Sequence, residues 1–130
     1  MKKQIEDADI VHHLAGITNV AYVKKECSSE QDELIKDTAI RGTQNILDFA
    51  KKDCKIIFAS THVVFEGVQE TKRNLTEEDK TETFLSYSSS KVVNEEQIKK
   101  SGLKYIILRL ASVYGYSTDT MRINIMYICF

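Results

Sequence analysis

Tyr87 stands four residues before Lys91 in the stretch SYSSSKVVNEE, with three serines between them. On a helix, side chains at that spacing are neighbours on one face. The pair has two readings. It is either two residues of a solvated face or an acid–base pair. A phenol titrates near pH 10 and is a poor base at neutral pH. A lysine ammonium within a few ångströms favours the phenolate. The phenolate then takes a proton from a substrate hydroxyl, or the phenol gives one to a carbonyl. A serine or threonine hydroxyl nearby orients the same substrate oxygen. With a hydride carrier opposite, proton and hydride transfer together interconvert an alcohol and a ketone. The lysine is also placed to bond ribose hydroxyls of such a carrier.

The rest of the chain decides between the two readings. Its 130 residues fit one ordinary domain, with 42% apolar and 28% charged residues and a formal net charge of −1. That balance points to neither nucleic acid nor an anionic membrane as partner. Three cysteines, Cys27, Cys54 and Cys129, have no close spacing and suggest neither a disulfide framework nor a zinc site. They fit reduced thiols in a cytoplasmic protein. The three histidines, His12, His13 and His62, are too few and too scattered to imply a metal. Acidic residues Glu6, Asp7 and Asp9 interrupt any signal-peptide pattern, and no apolar run is long enough to span a membrane.

Three short apolar runs read as buried strands: ADIVHHLAG (8–16), CKIIFAS (54–60) and KYIILRLASVYG (104–115). His12 and His13 fall on opposite faces of the first. Two helices alternate with them. The longer, over 28–52, opens on a candidate capping box of Ser28 and Gln31 with acids in its first turn. Its apolar stripe is Ile35, Ala39, Thr43, Ile46 and Ala50, widened by Leu34 and Leu47. Gly42 inside it suggests a close packing contact. The second helix, over 86–102, carries Tyr87 and Lys91 and stops at Gly102 after Lys99 and Lys100.

Strand, helix, strand, helix, strand is the order of a parallel α/β sheet with crossover helices. Such sheets bind ligands beyond the carboxyl ends of their strands. Leu14, Ala15 and Gly16, then Ala59, Ser60 and Thr61, then residues 111–115 occupy those ends. Thr61 supplies a hydroxyl at the exit of one strand, and Tyr87 and Lys91 open the next helix. These three form the candidate catalytic set.

In those same segments the chain resembles the extended short-chain dehydrogenase/reductases, the NAD-dependent epimerase/dehydratase group that acts mainly on nucleotide sugars. DIVHHLAG looks like the strand ending in H-x-A-A/G. IRGTQNIL looks like the helix segment with G-T followed by Asn and aliphatics. FASTHVVFEG looks like S-S/T-x-x-V-Y/F-x-G, YSSSK like the Tyr–Lys motif with Glu95 following, and LRLASVYG like R-x-x-N-V-Y-G. The motifs occur in family order from about Asp7 to Gly115.

The resemblance implies a partial Rossmann-like sheet binding NAD or NADP. Leu14, Ala15, Gly16, Ala59, Ser60, Tyr87 and Lys91 would line the cofactor, and Thr61, Tyr87 and Lys91 would be catalytic. It implies a nucleotide-sugar substrate and a likeness to the reductases that make deoxysugar nucleotides such as dTDP-rhamnose, and to simple sugar epimerases. The 4,6-dehydratases carry Asp-Glu after the catalytic threonine, where this chain has His62 and Val63. Ala39 and Ser112 stand where many members have asparagine.

The five glycines, Gly16, Gly42, Gly67, Gly102 and Gly115, cannot form the family's G-x-x-G-x-x-G loop. Residues 1–130 therefore read as the second half of the dinucleotide-binding domain, without the substrate domain. The apolar ending INIMYICF looks like readthrough or a shifted frame. Three expectations follow for the isolated chain. It is inactive alone, its first strand is an open apolar edge, and it pairs as a homodimer or with a partner that completes the sheet. The alternative is a non-catalytic or non-functional truncated product of the same family, acting if at all as a binding or interaction module.

Overall fold

The computed structural model describes residues 2–17, 29–68 and 74–111. It is α/β. A short helix α1 (Lys2–Glu6) precedes β1 (Ile10–His13). Then come α2 (Ser29–Phe49), β2 (Lys55–Thr61), a 3-10 turn (His62–Phe65), α3 (Ser86–Lys100) and β3 (Lys104–Leu110). The strands form one parallel sheet in the order β1-β2-β3, in register from Ile10 opposite Lys55 and from Lys55 opposite Lys104. Among the described residues, no helix is long and apolar enough to cross a membrane.

Period-2 alternation along β2 sends Ile56 and Phe58 to the helices, where they join Cys54 and Ile98 in a fully buried cluster. Val11, Ile46, Leu47, Ala50, Leu103 and Ile107 close around it. The helices α2 and α3 pack on each other over this face. Gln97 fastens them by donating to the Ile40 carbonyl (3.3 Å) and to Gln44 Oε1 (3.2 Å).

Buried parallel strands are expected to be covered on both faces. Among the described residues one face is covered. On the other, Ile10, Ile106, Leu108 and Leu110 remain between 43% and 50% exposed. The first strand is also shorter than its apolar run, and Leu14 beyond it is 68% exposed. Among the described residues β1 pairs only with β2, so it is an edge as expected.

The helix stripe holds for Ile35 and Thr43, which are buried, but not for Leu34, which is 58% exposed. Ser28 of the capping box and the strand continuation past Ala111 lie outside the described residues, as do Ser112, Cys27 and Cys129.

The close contact expected at Gly42 is absent: a Cβ there would meet nothing within 4 Å. Gly102 differs. It follows the C-cap Ser101 at φ +75°, a left-handed conformation that L side chains resist. The two glycines therefore respond oppositely to alanine. Gly42→Ala is expected to stabilise the chain by about 1 kcal/mol through helix propensity. Gly102→Ala is expected to destabilise it by about 1 kcal/mol or more. Thermal denaturation of both variants checks this, and a lowered midpoint for Gly42→Ala would contradict the open surroundings at that position.

Candidate functional site

The site is built at the carboxyl end of β2. Lys91 comes in from α3 and is 6% exposed. Its Nζ donates to the Ala59 carbonyl at 2.7 Å and lies 4.7 Å from the centre of the Phe58 ring. The same nitrogen is 5.8 Å from the centre of the Tyr87 ring, so the i, i+4 pair of the sequence does meet around one charge. A Cβ on Gly16 would come within 3.9 Å of it. Lys91 thus stands between the exits of β1 and β2 and beside Tyr87. Burial holds its pKa below the ordinary lysine range.

Thr61 is the last residue of β2 and is buried. Its backbone is extended, and its Oγ1 accepts from the Val63 amide at 3.2 Å, capping the 3-10 turn. Turn and α3 pack together, which fixes the threonine relative to the helix bearing Tyr87 and Lys91. The next residue, His62, is exposed and pairs through Nδ1 with the Leu110 carbonyl at 3.1 Å. Leu14, Ala15 and Gly16 are exposed beyond β1.

Ser60 points the other way. It is 4% exposed, and its hydroxyl donates to Glu95 Oε1 at 2.6 Å. Glu95 in turn receives a two-point bond from Arg109, Nε to Oε1 at 3.1 Å and Nη2 to Oε2 at 2.8 Å. Burial alone would raise the Glu95 carboxyl. The hydrogen bonds and charge of Arg109, the Ser60 hydroxyl and the Lys99 charge outweigh it and hold the group below the usual carboxylate range. Arg109 also donates to the Glu77 carbonyl at 3.2 Å and covers the Phe65 ring at 5.2 Å. One buried ion pair therefore ties β2, α3, β3 and the segment before α3 together behind the site.

His13 is another buried titratable group. Its ring packs 5.2 Å from that of Phe58, and its Nε2 bonds Thr43 Oγ1 at 2.8 Å. With the Asn94 amide nitrogen turned to the carbonyls of Ala39 and Ser90 (3.3 and 3.2 Å), its oxygen accepts from Thr43 Oγ1 at 3.2 Å. Thr43 then accepts from His13, which fixes the tautomer with the proton on Nε2. Its Nδ1 is buried without a hydrogen-bond partner among the described residues. Nothing in residue types or spacing announces this chain from His13 to Asn94, or the clamp at Ser60. Only Glu95, which follows Lys91 in the family pattern, marked it.

A family model described as the RmlD substrate binding domain matches residues 2–127. Among solved structures, the chain is similar to a dTDP-4-dehydrorhamnose reductase from Clostridium acetobutylicum. The identity is 26% and the TM-score 0.74, over 97% of this chain and 44% of that one. It is also similar to a UDP-glucuronic acid 4-epimerase from Bacillus cereus, solved with UDP-glucuronic acid and NAD. There the identity is 26% and the TM-score 0.70, over 88% of this chain and 36% of the epimerase. The fold recurs in RMD from Pseudomonas aeruginosa, complexed with NADPH, at 20% identity and a TM-score of 0.71, covering 93% and 43% of the two chains. The comparison with curated proteins gave no match. The chain belongs to the RmlD substrate binding domain family, within the extended short-chain dehydrogenase/reductases. It spans less than half the length of these solved relatives.

Burial and the Lys91 charge lower the His13 pKa from an ordinary 6.5 to about 4. The unfolded chain therefore takes up this proton first as pH falls, and stability declines between about 6.5 and about 4. Thermal midpoints measured across that window are expected to fall towards acid, and His13→Gln is expected to flatten the slope. An equally steep slope in the variant would remove His13 as its source.

Proposed function

We propose that this chain carries the proton-transfer half of an NAD(P)-dependent nucleotide-sugar reductase or epimerase. Thr61, Tyr87 and Lys91 are the catalytic set. The observation that carries the reading is the buried Lys91 ammonium, held by the Ala59 carbonyl beside the Tyr87 ring at the carboxyl end of β2. A cation kept there favours the phenolate of Tyr87. Tyr87 then accepts the proton of a sugar hydroxyl, or as phenol returns one to a carbonyl. Thr61 keeps its hydroxyl hydrogen while its oxygen accepts from Val63, so it donates to the same sugar oxygen and orients it. The clamp of Ser60, Glu95 and Arg109 holds the three supports of this set in register.

The residues present fit one side of a nicotinamide cofactor. Ala15 and Gly16 carry little or no side chain and are exposed, and Gly16 borders the Lys91 nitrogen. Leu14, Ala15, Gly16 and Ala59 would form that wall, with Tyr87 and Lys91 reaching ribose hydroxyls. The Ser60 side chain, committed to Glu95, would contribute only through its backbone. When bound, NAD or NADP supplies the hydride exchange that accompanies proton transfer. The relatives solved with NAD or NADPH support this choice.

The sequence has no glycine-rich pyrophosphate loop, and the outer edge of β1 is unpaired among the described residues. On that ground the chain alone is proposed not to turn over. A second chain pairing along β1, a partner or another copy, would complete the sheet. The alternative, a non-catalytic interaction module, draws on the same open edge and on the exposed apolar sheet face.

Amide-resolved NMR of the chain with millimolar NADH, then with a UDP- or dTDP-sugar, tests the reading. Shifts are expected at Gly16, Ala59, Thr61, Tyr87 and Lys91, with no turnover. Shifts confined to other surfaces would overturn the site, and turnover by the monomer would overturn the inactivity. In an assembly that restores turnover, Tyr87→Phe is expected to lower kcat by roughly 10²–10⁴-fold.

A further inference from the structure

We infer that Glu66 is a positioning residue for Tyr87. The inference rests on the acid–base reading of Tyr87 and extends it to a group that the sequence motifs do not single out.

The first turn of α3 lacks a cap of its own. Its N-cap is Leu85, whose side chain makes no capping hydrogen bond. Helix amides at that end need an acceptor from elsewhere. Glu66 supplies one from 19 residues upstream. Its Oε1 accepts from the Phe84 amide at 3.0 Å and from the Leu85 amide at 2.8 Å. It also accepts the hydroxyl hydrogen of Ser88. The same hydroxyl hydrogen is shared with the Leu85 carbonyl, whose oxygen lies 3.0 Å from Ser88 Oγ. Tyr87 lies between Leu85 and Ser88, so both residues flanking its turn are held by one carboxylate. A negative group at a helix N-terminus also suits the helix dipole.

A backbone clamp fixes the carboxylate itself. The Glu82 amide donates to the Val64 carbonyl at 3.0 Å, and the Gly67 amide donates to the Glu82 carbonyl at 2.9 Å. The approach is so close that a Cβ on Gly67 would lie 3.0 Å from the Glu82 backbone carbon and oxygen. Glycine at that position lets the two segments meet. The same 3-10 turn begins at Thr61, whose oxygen caps it, and ends at Glu66, its C-cap. One rigid turn therefore sets the distance between the threonine and the helix start that bears Tyr87.

The test uses the 130-residue chain. Tyrosinate absorbance is titrated with pH, with Tyr87→Phe identifying the Tyr87 step, and amide exchange is followed at Phe84 and Leu85. Glu66→Ala is expected to move the Tyr87 step to higher pH. It is also expected to speed exchange at those two amides by about fivefold, the size of a lost cap, leaving β2 protected. Gly67→Ala is expected to do the same. Glu66→Gln keeps an oxygen acceptor and is expected to stay near wild type in exchange, with the Tyr87 step no higher than wild type. If Glu66→Ala and Gly67→Ala leave the Tyr87 step in place, the positioning role is overturned. It is likewise overturned if Glu66→Gln fails as badly as Glu66→Ala. A wild-type chain with no early tyrosine step overturns the acid–base reading instead, and exchange alone then decides the cap.

Discussion

The site depends on a lysine ammonium held out of water. Desolvating such an ion costs several kcal/mol even after relaxation. The surroundings of Lys91 offset part of that cost: the Ala59 carbonyl at 2.7 Å and the faces of the Phe58 and Tyr87 rings. Each of these groups is also part of the fold. Ala59 and Phe58 belong to β2, and Tyr87 is one helical turn from Lys91. The charge therefore constrains where β2 and α3 sit relative to each other. The same charge acts on His13, whose ring shares Phe58 and stays neutral.

A second buried charge works behind the first. The Glu95 carboxylate is 2% exposed and is satisfied by Ser60 and by two nitrogens of Arg109. Buried ion pairs seldom add much net stability, but losing one partner is costly. What this pair provides is registration. Ser60 and Thr61 are adjacent, so whatever holds the first places the second. Ser60 faces the helices, and Thr61 turns into the 3-10 helix. The end of β2 thus gives two adjacent hydroxyls different partners, Glu95 for Ser60 and the Val63 amide for Thr61.

Much of this was legible in the sequence where local pattern decides structure. The alternation in CKIIFAS, the helical span closed by Gly102 and the Tyr–Lys spacing all rest on neighbours in the chain. What was not legible depends on contacts between distant residues. Glu66 to Leu85, Ser60 to Glu95 and His13 to Thr43 are separated by 19, 35 and 30 positions. No periodicity signals such a pairing. Leu34 shows the limit from the other side. Helical spacing places it at the margin of the apolar stripe, and only packing shows that the margin faces solvent. Gly42 invites a packing explanation that the open space around it does not support.

The most direct measurement is a titration of Lys91 by carbon-detected NMR of its Cε, assigned through Lys91→Met. The account predicts a lysine that titrates below the others in the chain, because its ammonium is buried against Ala59, Phe58 and Tyr87. A Lys91 that titrates with the solvent-exposed lysines would contradict it, and would return Tyr87 and Lys91 to a pair of residues on a solvated helix face.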